Sequence, residues 1–354
     1  MKRGLLPLSV TALALTLSLS TAPVTQAAPA GGEDASARGW SVTWDDFRRG
    51  FDTTGSDAKW QLTPTGDLPA GDGTPTTSAA GLRVAASGTN PATGQPAFTY
   101  TTEPEPAGAG AYDHLKWYAM ANHTSTAGFT GFDTTPGQVL SCEAGNYSAR
   151  TFGTGNHPFG ADVSDPRTDL RLAAGTMSMY DLESSLVFDF FVTDRKIYAF
   201  YERLPTPGAS YASFSYAVPV ADRTPDQKHK LSVAYDRTGG AAVWKIDGAQ
   251  VFKVDRPGHR LADRTHMVLD HGGREEDVIP RQLSCGLGLF NLLDAEGGNG
   301  RGLVKVSSEP AYDPDRGAPY EQTYVDPASL RQNRLWGQGA RIDVGRIGVS
   351  SLPR

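Results

Sequence analysis

The sequence has few cysteines, no basic runs and, after its first thirty residues, no long apolar stretch. It contains 2 cysteines in 354 residues, and 39 acidic against 33 basic residues give a formal charge of −6. An acidic chain without basic clusters lacks the electrostatics that nucleic acids and anionic membranes attract. No later segment is apolar enough to span a bilayer. We therefore expect neither nucleic acid nor, after signal removal, a membrane as a partner.

The local signatures of several enzyme classes are also absent. The chain has no G-x-S-x-G elbow, no H-E-x-x-H, no Walker A motif and no dinucleotide fingerprint. The spacing of His266 and His271 matches no standard zinc site. Asp294–Gly300 carries oxygen ligands at short spacing, which indicates either a structural calcium site or an ordinary turn. No other cofactor is expected.

The first residues have the pattern of an export signal. A positive start at Lys2 and Arg3 precedes an apolar run, and small-residue sites follow. This predicts a signal peptide over 1–30, a flexible tail over 31–39 and one domain over 40–354, secreted as an extracellular monomer.

In an exported chain, Cys142 and Cys285 are expected to form a disulfide, with Cα atoms about 4.4–6.8 Å apart. The alternative is two free buried thiols.

Short apolar runs separated by glycine-rich turns recur along the chain. HKLSVAYD, AAVWKIDG and AQVFKVD predict a three-stranded meander with a hairpin turn at Asp247-Gly248. Another strand is expected over His114–Met120, and Ile342–Val349 is expected to be the last. Ala127–Thr176, rich in Gly, Pro and Asp, is expected to be a long connection that contains Cys142. This pattern predicts an all-β jelly-roll sandwich with long loops.

The segment from Leu186 to Leu204 predicts a β-hairpin, because two aromatic-rich runs flank a turn at Asp194-Arg195. The turn places Asp189 opposite Phe200 and Val187 opposite Glu202. Alternation then gives a core face of Leu186, Phe188, Phe190, Val192, Ile197, Ala199 and Tyr201. The second face carries Val187, Asp189, Phe191, Tyr198, Phe200 and Glu202.

On that second face two carboxyl groups accompany aromatic rings. Asp189 and Glu202 are expected to be diagonal neighbours, roughly 7–8 Å apart at the backbone. As an acid pair in a cleft, one would be protonated because a like charge raises its pKa, which suits sugar chemistry. Phe191 and Tyr198 would then contact the ligand. In the alternative interpretation, Glu202 pairs with an arginine at the strand end and Asp189 accepts loop N–H groups.

Two other segments carry candidate ligand-binding groups. Loop 267–277 holds His271, a catalytic candidate, and is either the rim of a ligand site or a solvated charge run. Arg281, which follows it, is grouped with the ligand-binding residues. Trp336 and Gln338 lie between glycines, where the ring either stacks on a sugar or plugs the end of the sandwich.

Two segments resemble a known superfamily. His229–Val254, with its Trp-x-x-Asp-Gly strand, and Asp45–Leu62 resemble parts of concanavalin A-like lectin/glucanase jelly rolls. Laminarinase-type hydrolases in that superfamily carry E-x-D-x-x-E where this chain reads Leu-Val-Phe-Asp-Phe-Phe. Only Asp189 matches, so the resemblance does not imply a retaining-hydrolase mechanism.

More of the chain resembles a family of exported actinobacterial proteins described as a domain of unknown function. The phrases that carry this resemblance are VFDFFVTDRKIYAFYERLP, LDHGGREEDVIPRQLSCGLGLF and RLWGQGARI. The resemblance implies the sandwich and no activity.

Three functions therefore stay open. The first is a secreted module that binds a glycan on the aromatic and acidic face. The second is a divergent polysaccharide hydrolase or lyase that uses Asp189 and Glu202. The third is a cyclase or isomerase acting on an apolar small molecule, for which a closed apolar cavity is expected.

Overall fold

The computed structural model of the protein describes residues 38–63, 71–86, 115–206, 208–305, 317, 321–327 and 339–354. The predicted signal peptide, residues 1–30, lies outside the described residues. Among the helical segments of the described ranges, none has the length and apolar character that a membrane crossing requires.

The described secondary structure is almost entirely β. The first ten strands are β1 Trp40–Asp45, β2 Trp60–Leu62, β3 Thr74–Ser78, β4 Gly81–Ala85, β5 Leu115–Ala121, β6 Phe132–Asp133, β7 Gln138–Phe152, β8 Ala174–Asp181, β9 Leu186–Val192 and β10 Lys196–Arg203. The others are β11 Phe214–Asp222, β12 His229–Asp236, β13 Ala241–Ile246, β14 Ala249–Val254, β15 Met267–Asp270, β16 Gln282–Phe290, β17 Arg301–Val304, β18 Thr323–Asp326, β19 Gly339–Val344 and β20 Arg346–Pro353. A 3-10 turn covers Gly160–Asp162.

Two large antiparallel sheets form a sandwich. Sheet A has the order β14-β13-β12-β7-β19-β4-β3, and β20 joins β7 to β1. Sheet B has the order β15-β11-β10-β9-β8-β16-β5-β2, with β6 against β16. A separate parallel pair contains β17 and β18. The all-β jelly-roll prediction is confirmed.

The core lies between the two sheets and is rich in aromatic side chains. Phe188 on β9 stacks against Tyr201 and Tyr235, and meets Trp244 edge-on at 5.7 Å between ring centroids. All four side chains are fully buried. Every residue expected on the core face of the central hairpin lies in this cluster.

The prediction for Ala127–Thr176 is wrong, because β7, the longest strand, runs through it. Gln138–Phe152 pairs with β12 along one edge, and with β20 and then β19 along the other. Small residues fill many of its inward positions, so the apolar alternation is weak in the sequence. Cys142 on β7 bonds Cys285 on β16, with Cα atoms 5.9 Å apart, so the predicted disulfide joins the two sheets.

The single strand predicted over Ile342–Val349 is divided between two strands in the structure. Residues 342–349 fall on β19 and β20, which divide at Gly345. The Gly345 N–H donates to the carbonyl of Gly145 at 2.8 Å. At this point β7 changes its partner from β20 to β19. The predicted meander β12-β13-β14 is confirmed, and Asp247 and Gly248 have the positive φ angles that its tight turn requires.

Candidate functional site

The hairpin of β9 and β10 has the register that its turn predicts. Asp189 lies opposite Phe200, and Val187 lies opposite Glu202. The two carboxyl groups are therefore diagonal neighbours on the face of sheet B that points away from the sandwich core. Their placement on one strand-pair surface is confirmed.

Asp189 accepts one hydrogen bond at its carboxyl group and one from the opposite sheet at its main-chain carbonyl. The Met179 N–H donates to its carboxyl group, and the Trp244 indole N–H donates to its main-chain carbonyl at 2.7 Å. Its Oδ1 accepts no hydrogen bond from the described part of the chain. Burial, and then the charge of Glu202, raise the pKa of Asp189 well above its ordinary value. Its protonated form is therefore favoured, and this form can donate a proton or a hydrogen bond.

Glu202 is more accessible than Asp189. Its side chain is half-buried, and the Ser215 hydroxyl on β11 donates to Oε1 at 2.5 Å. The arginine that follows it, Arg203, pairs with Glu276 at 2.8 Å. Glu202 is thus partly accessible, whereas Asp189, its diagonal neighbour on the same face, is buried.

A hydroxyl pair extends this acid pair across the sheet. The Tyr118 hydroxyl on β5 lies 2.7 Å from the Ser178 hydroxyl on β8, which stands opposite Asp189. The intervening strand carries Gly286 at this point. A Cβ there would lie 2.5 Å from Ser178 Oγ and 2.6 Å from Tyr118 Oη, so glycine is what lets the two hydroxyls meet.

These side chains lie on the same face of six adjacent strands, of which β16 contributes only Gly286. We call this group the polar track and define it as Tyr118, Ser178, Asp189, Glu202 and Ser215. Burial, and next the charge of Asp189, raise the pKa of Tyr118 above its ordinary range, so its hydroxyl keeps its proton. The track therefore contains three hydroxyls, one carboxyl group that favours its protonated form and one carboxylate, and of these residues only Glu202 is not buried.

Tyr180 on β8 was missed by the sequence analysis. It stands opposite Val187, whose other neighbour is Glu202, so Tyr180 and Glu202 flank one side chain on the same row. Both are half-buried, whereas Asp189 below them is only 3% exposed. In β8 the polar residues Thr176, Ser178 and Tyr180 alternate with two methionines, a pattern that indicates a polar outward face. We call Tyr180 and Glu202 the mouth of the polar track.

The aromatic half of the face is covered. Phe191 is 2% exposed and packs against Phe200 at 4.5 Å and Phe290 at 5.4 Å between ring centroids. Leu170 and Leu292 lie over the same cluster. Strand alternation places these rings on the outward face but does not reveal the loops that cover them. The expectation that Phe191 presents its ring to a ligand is therefore not met.

Tyr198 lies at the border of this covered cluster. Its hydroxyl donates to the Thr168 carbonyl at 2.9 Å, and its side chain is half-buried. It lines a cavity of about 380 Å³ between segments 161–171 and 296–299. The lining of this cavity mixes polar residues such as Asp165 and Arg171 with the apolar residues Leu170 and Val268.

His271 lies near the Glu202 end of the track. Its main-chain N–H donates to the carbonyl of Ser213, two residues before Ser215. The neighbouring carboxylates are engaged in ion pairs: Arg260 and Arg264 bind Asp270, each at 2.7 Å. Residues 274–277 are exposed, so the loop carries these charges in solvent, and its three carboxylates there also form ion pairs.

The other candidates lie elsewhere or outside the described ranges. Arg281 precedes β16, and its Nε donates to Glu183 Oε2 at 2.9 Å. Trp336 and Gln338 lie outside the described residues. Within the described residues, no group of three or more His, Cys, Asp or Glu side chains could hold a metal ion. In the segment proposed for calcium, the Asn299 amide donates to Asp162 and Gly300 closes a turn on Gly297.

Solved structures that resemble this chain include two endo-1,3-β-glucanases and a transglycosylase. An endo-1,3-β-glucanase from Streptomyces sioyaensis is 14% identical, with a TM-score of 0.38 over 92% of this chain and 100% of that one. The laminarinase catalytic domain from Thermotoga petrophila RKU-1 is 14% identical, with a TM-score of 0.35 over 88% and 96%. The apo Crh5 transglycosylase is 13% identical, with a TM-score of 0.37 over 89% and 84%. These scores are low, so the fold assignment rests on the strand order and register given above.

Sequence comparison gives a closer relationship. Uncharacterized protein L829 of Acanthamoeba polyphaga mimivirus is 31% identical over a match that takes in 45% of this chain and 53% of the viral protein. The chain thus spans about half the length of that curated relative. A family model matches residues 44–353, which is most of the sequence. The chain belongs to the family of unknown function DUF6081.

Proposed function

We propose that the polar track binds a hydroxyl-rich ligand, most simply a saccharide, that enters at the mouth formed by Tyr180 and Glu202. The observation that carries this proposal is the alignment of five hydrogen-bonding side chains on one face of sheet B, from Tyr118 to Ser215. Sugar hydroxyls both donate and accept, and the track offers donors and acceptors side by side. The half-buried ring of Tyr180 supplies a surface for stacking, which the covered ring of Phe191 does not.

A second function, cleavage of the bound glycan, is favoured by the pKa of Asp189. Glycosidases use two carboxyl groups in different protonation states: the protonated one is the general acid, and the ionised one is the base or nucleophile. Asp189 would give its proton to the leaving oxygen, and Glu202 would act as the base or nucleophile. The apolar-substrate alternative receives no comparable support, since both cavities described have charged residues in their linings.

The test is a glycan array followed by calorimetry on the glycans that bind, with Glu202→Gln and Tyr180→Ala beside the wild-type protein. Glu202→Gln should weaken binding by about tenfold, because hydrogen bonds to charged groups are the strong ones. Tyr180→Ala should cost roughly 1–3 kcal/mol of affinity, by analogy with stacking of bases on aromatic rings. The matched control is Glu143→Gln, a similarly half-buried glutamate on sheet A.

Asp189→Asn separates binding from cleavage. The amide keeps a donor and the same volume, so a binding module should retain its affinity. A hydrolase should still bind but lose turnover, because an amide cannot donate a proton. The site is refuted if Glu202→Gln and Tyr180→Ala bind as the wild type does, or if Glu143→Gln loses as much affinity.

A further inference from the structure

A second cavity lies on the opposite sheet, where sheet A divides. Its volume is about 490 Å³, and it is lined by strands β3, β4, β19 and β7 together with the loop around Asp226 and Lys228. This volume is within the range of small-ligand sites, roughly 300–1,000 Å³. It faces away from the core, so it is independent of the polar track on sheet B.

The topology explains why a cavity forms there. At Asn146, β7 has a left-handed backbone with φ of 54°, at the point where its partner changes from β20 to β19. A non-glycine residue with positive φ is uncommon and occurs where the surrounding structure enforces it. On the other side of the cavity, a Cβ on Gly81 would lie 2.1 Å from the carbonyl oxygen of Val344, so the turn of the β3–β4 hairpin packs closely against the end of β19. Both edges of the cavity are therefore fixed by the backbone.

The cavity contains a cationic centre that its own carboxylate only partly neutralises. Arg83 Nε binds Asp343 Oδ1 at 2.6 Å, and Arg341 Nε lies 3.2 Å from Asp343 Oδ2. One carboxylate is thus shared by two guanidinium groups. The buried Nε of Arg341 has no hydrogen-bond acceptor among the described residues, so it lies near Asp343 without being aligned to it.

The lining also contains one lysine, Lys228, and one further carboxylate, Asp226. Lys228 makes no ion pair with any residue that the structure describes, whereas Asp226 is engaged by Arg150 at 2.6 Å. Cations therefore exceed anions in this lining, on a protein whose overall formal charge is −6. Guanidinium groups match the geometry of carboxylates and bind them with two parallel hydrogen bonds.

The uncharged part of the lining narrows the ligand class. It contains no aromatic ring; hydroxyl groups and one amide come from Thr76, Thr77, Ser78, Ser148 and Asn146, and small or aliphatic groups from Ala80, Gly81, Leu82, Pro225 and Val344. The hydroxyl and amide groups can hydrogen-bond to the hydroxyl groups of a ligand. We infer that this cavity is a second binding site, for a carboxylated, hydroxyl-rich ligand, that is, an acidic saccharide whose carboxylate meets Arg83, Arg341 and Lys228.

The experiment is calorimetric titration of the full chain with tetragalacturonate, and with the methyl-esterified form of the same oligosaccharide as the neutral probe. Arg83→Gln should weaken tetragalacturonate binding by about tenfold. Asp343→Asn should tighten it, since it removes the carboxylate that competes for both guanidinium groups. The matched control is Arg256→Gln, an exposed arginine that is paired with Asp277 in the same manner and lies outside the cavity lining. It should leave binding unchanged.

A ligand site predicts weaker binding for Arg83→Gln and tighter binding for Asp343→Asn. Damage to the fold would instead weaken binding in both variants. The inference is overturned if tetragalacturonate fails to bind at millimolar concentration, if Asp343→Asn weakens it, or if the methyl ester binds equally well. Full displacement by inorganic sulfate at equal concentration would also overturn the saccharide assignment, leaving only a general anion site. Glu202→Gln should not affect this titration, so failure of this site and failure of the polar track give different results.

Discussion

The disulfide allows the most quantitative prediction. Cys142 and Cys285 are separated by 143 residues, and both are buried at the centre of the sandwich. In the chain-entropy model, closing a loop of that length stabilises the folded state by about 5 kcal/mol. Small and medium-sized domains are stable by only about 5–15 kcal/mol, so the loss is a large fraction of the total.

The perturbation is the double variant Cys142→Ala/Cys285→Ala, measured by urea unfolding with tryptophan fluorescence as the probe. Its free energy of unfolding should fall by about 5 kcal/mol. The slope of that free energy against urea should rise, because an unfolded chain without the cross-link exposes more surface. Wild-type protein unfolded and refolded in reductant is the control, since it keeps both sulfur atoms and lacks only the bond.

If loop closure is the cause, the reduced wild type and the double variant should lose nearly the same stability. A loss below about 1 kcal/mol in both would refute the reasoning, because the cross-link would then constrain little of the unfolded chain. A large loss in the variant alone would assign the effect to side-chain packing instead.

Three further predictions concern single positions. Phe190→Ala should destabilise the protein by about 3–5 kcal/mol in the same unfolding assay, since its ring is fully buried between the sheets; a near-neutral effect would contradict the assigned face. Lys116→Met should cost about 3–5 kcal/mol, because Lys116 Nζ lies 2.8 Å from Asp72 Oδ2 with both side chains 2% exposed, and a double-mutant cycle with Asp72→Leu should recover much of the loss. The wild type should lose stability relative to Asp189→Asn as pH rises from about 3.8, the ordinary pKa of the carboxyl group, to the raised pKa of Asp189 in the folded state. Over this window the unfolded wild type ionises Asp189 more readily than the folded wild type does, whereas the asparagine variant has no such group. Unfolding curves at several pH values check the sign, and a pH-independent difference would mean that Asp189 is not perturbed.

Local patterns in the sequence determined the parts of the fold that depend on nearby residues. The hairpin register follows from the Asp194-Arg195 turn and the period-two alternation of the strands it joins, so both faces of β9 and β10 were correctly assigned. The pairing of two cysteines needed only the expectation of export. The meander followed from short strands and an Asp-Gly turn whose positive φ angles are intrinsic to those residue types.

Long-range contacts decided the rest. The inward positions of β7 are small residues that strand partners on both edges stabilise, so its alternation is weak without those partners. Alternation put Phe191 on the outward face, but only the folded chain brings distant Leu170 and Leu292 over its ring. Likewise, Tyr118 and Ser178 form a hydrogen bond across Gly286 because three strands far apart in sequence become neighbours in sheet B. In the candidate site, the local register of the hairpin determines that Asp189 and Glu202 are diagonal neighbours. The placement of Tyr118, Ser178 and Tyr180 beside them depends on strands that only the tertiary structure brings together.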